Sequence, residues 1–299
     1  MIKQKVKVSI LRRQLSKMYH QLYAVATVGR LNPWLKPIHS SIIALELAAQ
    51  RGLDKILSHE ATTPIINDKL TLLIKTFMRP TIIQRLVTSV RNFYPQLPII
   101  VVDDSQSPRS IPDVNTIFLP YDSGISVGRA EGLRHVQTPY VLLLDDDFIF
   151  YRHTRLQSAL NVMEQFPVID IMGGAVINLP FFTSIDYTKA ALYPTQSNST
   201  LPPNTHIGNM PVLDKVANFF IARTERLRLV HWDSTLKLLE HADFFTQAKG
   251  ILTTVYNQDL RCLHARTPFD KEYMAYRNNY LPYAIYLRRK YKLGEKETV

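Results

Sequence analysis

Residues 140–150 read Tyr-Val-Leu-Leu-Leu-Asp-Asp-Asp-Phe-Ile-Phe. The four apolar residues from Val141 to Leu144 run directly into Asp145, Asp146 and Asp147. A short run that is apolar at every position suits a strand buried on both faces, as in a parallel sheet. Three carboxylates cannot continue into that core. They belong at its carboxyl end, where α/β sheets open into a ligand crevice. Side by side they repel unless a cation offsets the charge. The stretch therefore predicts a buried strand whose end holds a divalent metal, and through it a phosphate. The plainer alternative is a polar turn with Asp147 as a helix cap.

A chain of 299 residues suits one large or two small domains. The single cysteine, Cys262, excludes an internal disulfide framework and suits a reducing compartment. No apolar run is long enough to span a bilayer. Residues 23–28 are too short for a secretory core, so the expected location is cytoplasmic. The net charge of +11 is uneven. Before Glu46 stand eight basic residues and no acid, and residues 271–299 add a further +4, so residues 46–270 carry −1. A neutral body with basic ends predicts peripheral contact with an anionic membrane rather than a nucleic-acid groove. Two solubilising tails would give the same count.

Along the chain, residues 1–45 mix basic and apolar residues. That pattern suits an amphipathic surface helix, or a transit peptide. Residues 40–57 predict a helix burying Ile43, Leu45, Leu47, Leu53 and Ile56, with Pro33 and Pro37 as punctuation before it. Residues 70–76 predict a strand. In residues 79–94, apolar side chains recur at the spacing of a helix laid on a sheet, with Pro80 in the first turn. Residues 98–104 predict a second buried strand, ending in Asp103 and Asp104, and residues 115–119 a third. A helix within 124–136 leads to the strand at Tyr140. This alternation indicates a doubly wound α/β half-domain. Beyond it, the sequence predicts a helix over 152–166, strands at 169–177 and 216–222, an irregular excursion over 183–211, a helix over 240–248, and β structure at 252–255 and 260–264. Residues 271–292 carry six tyrosines, four along one helical face, with Pro282 as a break. They suit a membrane interface or a helix packed on the body.

Two familiar phosphate-binding patterns are missing. There is no Gly-Lys pair for a P-loop, and residues 75–80, Lys-Thr-Phe-Met-Arg-Pro, replace a dinucleotide glycine signature. The blocks Thr-Leu-Leu-Ile-Lys-Thr-Phe-Met-Arg at 71–79, Ile-Ile-Val-Val-Asp-Asp-Ser at 99–105, Gly-Ile-Ser-Val-Gly-Arg at 124–129 and Val-Leu-Leu-Leu-Asp-Asp-Asp-Phe at 141–148 resemble, in order and spacing, those of family 2 glycosyltransferases of GT-A fold. In form they look closest to the ganglioside-type β-1,4-N-acetylgalactosaminyltransferases. The resemblance spans roughly residues 70–265. It implies a GT-A domain over 69–270, with a nucleotide-sugar half (69–150) and an acceptor half (151–270). A basic helical extension (1–68) and a basic tyrosine-rich tail (271–299) flank it.

The resemblance also implies roles. Asp145 and Asp147 would ligate Mn²⁺ or Mg²⁺, with His264 completing the site, and the metal would offset charge on a departing nucleoside diphosphate. Thr76, Phe77, Arg79, Asp103, Asp104, Gly128 and Asp146 would shape the nucleotide pocket. Arg129 would lie near the diphosphate or donor sugar, although Ala130 stands where many relatives have Asn. An inverting transfer needs a carboxylate base at a helix start, and Glu240 fits, with Asp243 as second choice. Gly173 and Gly174 would shape the acceptor floor, and Trp232 would stack on a sugar or sit in the core. The expected reaction is metal-dependent transfer of a sugar, such as an N-acetylhexosamine, from a UDP-activated donor to a glycan or glycolipid hydroxyl. A nucleotidyltransferase on a similar sheet and a non-catalytic binding module are the competing readings.

Overall fold

A computed structural model describes residues 32–57, 59–202 and 205–294. The expectations for residues 1–31, including the amphipathic or transit segment, lie outside them. Helix α1 is Asn32–Ile56 and α2 is Ile66–Lys69. The central elements are β1 (Leu70–Thr76), α3 (Pro80–Arg91), β2 (Ile99–Asp103), β3 (Asn115–Phe118), α4 (Ile125–Arg134), β4 (Tyr140–Asp145) and β5 (Phe148–Ile149). There follow α5 (Leu156–Gln165), β6 (Ile171–Asn178), the short hairpin β7 (His206–Ile207) and β8 (Met210–Pro211), β9 (Phe219–Arg223), and α6 (Thr224–Leu227). The last elements are α7 (Glu240–Ala248), β10 (Thr254–His264), α8 (Lys271–Asn278) and α9 (Leu281–Lys290).

One eight-stranded sheet runs in the order β3-β2-β1-β4-β9-β6-β10-β5. Its first four strands are parallel, and β9 lies antiparallel between β4 and β6. Alternation inside the apolar runs explains how both faces are covered. Leu72 and Ile74 of β1 and Leu142 and Leu144 of β4 face one core, with Ile83, Leu86 and Val90 of α3. Leu73, Val141 and Leu143 face the other, with Leu133 of α4 and Phe244 and Phe245 of α7. Each such side chain contributes about 1.5–3 kcal/mol by burial. The sheet is therefore the α/β, GT-A-type scaffold that the sequence predicts.

β1 pairs with β2 on one side and β4 on the other. This is a topological switch point, so the crevice opens at the carboxyl ends of these strands. Register pairs Lys75 with Asp145 and Thr76 with Asp103, which brings the two acid-ended strands to one edge.

Several local expectations change. Helix α1 begins before both prolines. Pro33 falls in its first turn, where N–H groups have no intrahelical partner, and the helix runs on through Pro37. Ile43 and Leu47 are buried against Ile149, Tyr151 and Leu263, whereas Leu45, Leu53 and Ile56 are exposed. The helix touches the body along a single line. The β segments at 252–255 and 260–264 are one strand, β10, with a register shift between Asn257 and Arg261. The expected break in the tail falls at residues 279–280, and Pro282 lies in the first turn of the second helix, α9.

The tyrosine-rich tail packs on the body. Leu287 is buried with Leu236 and Tyr193. Tyr286 donates to Asp233 at 2.7 Å, Tyr291 donates to Asp243 at 2.7 Å, and Lys290 pairs with both acids at 2.7 Å.

Gly132 lets α4 lie close on the sheet: a methyl group there would lie 2.2 Å from Leu73 Cδ1 and 2.8 Å from Val102 Cγ2. We expect Gly132→Ala to lower unfolding stability by about 1–3 kcal/mol in a urea titration. An unchanged midpoint would show that α4 does not seat there.

Candidate active site

The acidic triplet spans the end of β4, at Asp145, and the turn of Asp146 and Asp147 that leads into β5. Asp146 turns inward and is buried. It accepts from Thr76 Oγ1 at 2.7 Å and from Arg79 Nη1 at 2.9 Å. Burial, then the neighbouring Asp147 and Asp145, pushes its carboxyl up to about 6, against Arg79 and Thr76. Asp145 and Asp147 line a cavity of about 610 Å³, large enough for a nucleotide sugar. Asp145 Oδ1 accepts from Arg129 Nη2 at 2.8 Å. Asp147 Oδ2 accepts from Arg79 Nη2 at 2.9 Å, and Asp147 Oδ1 lies 3.1 Å from His264 Nε2. Burial opposes the Asp147 charge, but His264 and Arg79 outweigh it and hold the carboxyl well below its ordinary range.

Arg79 is the keystone of this wall. It sits at the start of α3, buried, under the Tyr273 ring at 4.2 Å. Burial alone would favour neutrality, but Asp146 and Asp147 raise it above the ordinary arginine range, so it stays charged. His264 is oriented by Asn178, whose Oδ1 lies 2.9 Å from Nδ1, and by the Phe148 ring at 5.0 Å.

These residues meet the geometry of a metal centre in part. Among the described residues, no group of three His, Cys, Asp or Glu side chains is placed to hold a metal ion. Two cis ligands about 2.1 Å from one ion stand about 3 Å apart, and Asp147 Oδ1 and His264 Nε2 have that separation. His264 Nδ1 lies within reach of both Asn178 Oδ1 and Arg266 Nε, and Asp147 Oδ1 with His264 Nε2 presents two possible ligand atoms side by side. Asp145, part-exposed, lines the same cavity and is held through Oδ1 by Arg129. The donor set fits Mn²⁺ or Mg²⁺ if substrate phosphates supply further oxygens, as such ions commonly require.

Glu240 opens α7, and Leu239 before it adopts a left-handed φ of 64°. A leucine in that conformation is strained, and here it aims the first helical side chain at the cavity. Glu240 Oε1 accepts from Arg129 Nη1 at 2.7 Å. Arg129 is thus a buried strut between Asp145 and Glu240 and does not line the cavity, contrary to the expected contact with diphosphate or donor sugar. Both guanidinium ends are committed to carboxylates.

The remaining expected residues divide in the same way. Phe77 lines the cavity, its ring 4.9 Å from Tyr276 and 5.9 Å from Tyr121. Thr76, Asp103, Asp104 and Gly128 stand behind the wall. Asp103 accepts from Ser105 N at 2.9 Å. Asp104 is fully buried, pairs with Lys75 and accepts from Gly124 N at 2.8 Å. Gly128 lets α4 approach β1: a Cβ there would lie 2.6 Å from Lys75 Cγ. Asp243 points away from the cavity to the tail, so its role as a reserve base is replaced by that of a latch. Trp232 is core, stacked on Phe244 at 4.6 Å. Gly174 lines the cavity, and Gly173 packs under Val216 instead.

Among the lining residues without an expected role at the site, Tyr273, Tyr276 and Arg277 come from α8, and Lys237 precedes α7. Arg277 feels Asp145, Glu240 and Asp147, which together with Tyr273 overcome burial and raise it above the ordinary arginine value. The sequence signal was the 3-residue spacing of Tyr273 and Tyr276, which predicts a face but not the partner it covers.

Residues 71–225, just over half of the chain, match the Glycosyl transferase family 2 profile, and the chain belongs to that family. It is 33% identical over 211 residues to β-1,4 N-acetylgalactosaminyltransferase 1 of Rattus norvegicus, covering 67% of this chain and 39% of the relative. The Homo sapiens enzyme of that name is 33% identical over 219 residues, with the same coverage. β-1,4 N-acetylgalactosaminyltransferase 2 of Mus musculus is 33% identical over 198 residues, covering 62% and 37%. The chain spans about two fifths of the length of these relatives. Among solved structures, S. aureus TarS 1–349 in complex with UDP aligns with a TM-score of 0.51 at 16% identity, over 65% of this chain and 60% of that one. Its complex with UDP-GlcNAc gives 0.51 at 17% identity, over 65% and 58%. At that identity the likeness concerns the GT-A fold.

His241, beside Glu240, donates from Nε2 to Val216 O at 2.7 Å. Burial pushes it down to about 4, although Glu240 and Val216 O act the other way. A histidine whose folded value lies below its unfolded value of 6.5 leaves stability intact above pH 6.5, and stability falls as pH drops toward 4. The slope contributed is up to about 1.4 kcal/mol per pH unit. We expect His241→Gln to flatten the decline in melting temperature over that window. Parallel curves for the two proteins would contradict this.

Proposed function

We propose that the chain is a metal-dependent inverting glycosyltransferase. In this reading it moves a sugar, such as an N-acetylhexosamine, from a UDP donor to a glycan or glycolipid hydroxyl. The observation that carries the proposal is the Asp145, Asp147 and His264 wall facing Glu240 across one cavity, with Arg129 tying the two sides together. The charge balance supports a divalent ion. The cavity is lined by Lys75, Arg79, Lys237, Arg266 and Arg277 against Asp122, Asp145, Asp146, Asp147 and Glu240. These cancel, so a nucleoside diphosphate brings negative charge that no surplus side-chain cation offsets. Bound by Asp145, Asp147 and His264, Mn²⁺ or Mg²⁺ would supply Lewis-acid stabilisation of the departing diphosphate.

The side chains then have distinct tasks. Phe77, with Tyr121 and Tyr276, offers an aromatic wall for the base. Arg277 reaches the diphosphate from the tail. Glu240 accepts the proton of the acceptor hydroxyl as that oxygen attacks the anomeric carbon and the bond to the diphosphate breaks. It sits at the start of α7 with Arg129 beside it, so positive charge adjoins the carboxylate that takes the proton. Residues 181–187, lining the opposite rim, would contact the acceptor.

The test is incubation with a panel of UDP-sugars and Mn²⁺ or EDTA, with UDP release as readout. The expected result is release that requires metal and disappears in Asp147→Asn. Glu240→Gln should lower kcat by about 10²–10⁴ with donor binding retained, and Arg277→Ala should raise the donor KM more than it lowers kcat. Release of pyrophosphate instead would indicate nucleotidyl transfer, and no donor binding across the panel would reject the proposal.

A further inference from the structure

Helix α1 carries two different faces. At 3.6 residues per turn, the buried His39, Ile43, Leu47 and Gln50 cluster on one arc. On the neighbouring arc of about 100° lie Trp34, Ile38, Ile42, Leu45, Leu53 and Ile56, all exposed to solvent. Trp34, Leu45 and Ile56 are exposed by 74%, 71% and 80%. Every other residue whose side chain falls in that arc is Leu, Ala or Gly, and none is charged. The stripe runs about 33 Å along the helix. An exposed apolar strip of that length with an indole at one end marks an interaction surface.

We infer that this stripe is a docking surface for an anionic lipid bilayer, with α1 lying in the plane of the headgroups. Charge on the adjoining chain selects the occupant. The 31 residues that lead into α1 carry Lys3, Lys5, Lys7, Arg12, Arg13, Lys17 and Arg30 and no acid. Anionic lipid neutralises that charge while the stripe buries its apolar surface, the two contributions that hold an interfacial helix. A second copy of the chain would bring the same uncompensated positive charge to the same contact. The stripe also has a consequence for the site. His39, on the adjoining arc of α1, lines the cavity, so the stripe and the cavity share one helix. If the transferase proposal holds, this position favours an acceptor carried by a lipid. The docking surface itself does not rest on that proposal.

The test uses the full chain and phosphatidylcholine vesicles with and without phosphatidylglycerol. The protein should partition onto the anionic vesicles, weakly at high salt. Trp34→Ser combined with Leu45→Ser and Ile56→Ser, all at exposed positions, should cut the partition coefficient by about tenfold or more while UDP binding stays unchanged. In a Trp232→Phe background Trp34 is the sole tryptophan. Its emission should be that of an exposed indole in buffer and shift to the blue on anionic vesicles. Absence of partitioning, partitioning that the triple substitution leaves intact, or a Trp34 emission already blue-shifted in buffer would each overturn the inference. The last result would mean that residues 1–31 or a second copy cover the stripe.

Discussion

The structure depends on how three adjacent carboxylates are held at the end of one buried strand. Asp145, Asp146 and Asp147 would repel one another in a low-dielectric setting. The turn after β4 holds Asp146 against Thr76 and Arg79, and two buried arginines meet the three acids from different elements. Arg79 takes Asp146 and Asp147 from the start of α3, and Arg129 takes Asp145 from α4 and carries the link on to Glu240. The pairs of Arg79 with Asp146 and Asp147 and of Arg129 with Glu240 are buried, so removing either partner leaves an uncompensated charge and costs several kcal/mol, on the order of 3–5. The same pairs fix the two sides of the cavity relative to each other. Stability and site geometry therefore rest on one network.

Much of this arrangement was readable from the sequence. Apolar runs ending in acids at Asp103–Asp104 and Asp145–Asp147 predicted parallel strands converging at one edge, and the register places them there. Glu240 at a helix start followed from the resemblance and from a helix over 240–248 after a turn at 232–239. Spacing along the chain encodes these features.

Other features depend on tertiary partners, which spacing does not encode. Arg129 was expected at the ligand because of its motif position, yet its two ends are occupied by carboxylates 16 and 111 residues away. Asp243 sits one helical turn after Glu240, close enough in sequence to serve as a base, but the helix turns it to Lys290 and Tyr291. The tail tyrosines had a helical face and no stated partner, and the fold supplies Arg79, Phe77, Asp233 and Asp243. Leu45, Leu53 and Ile56 have the composition of core residues, but α1 meets the body along one narrow line and leaves them in solvent.

If, as proposed, Asp147 and His264 form half of a metal site that the substrate diphosphate completes, electron paramagnetic resonance of Mn²⁺ will register it. The protein alone should leave the free-ion signal nearly intact, and adding UDP should deplete it in the native protein but not in Asp147→Ala beyond what UDP alone removes. Equal depletion in the two proteins, or no added depletion when protein and UDP are combined, would contradict it.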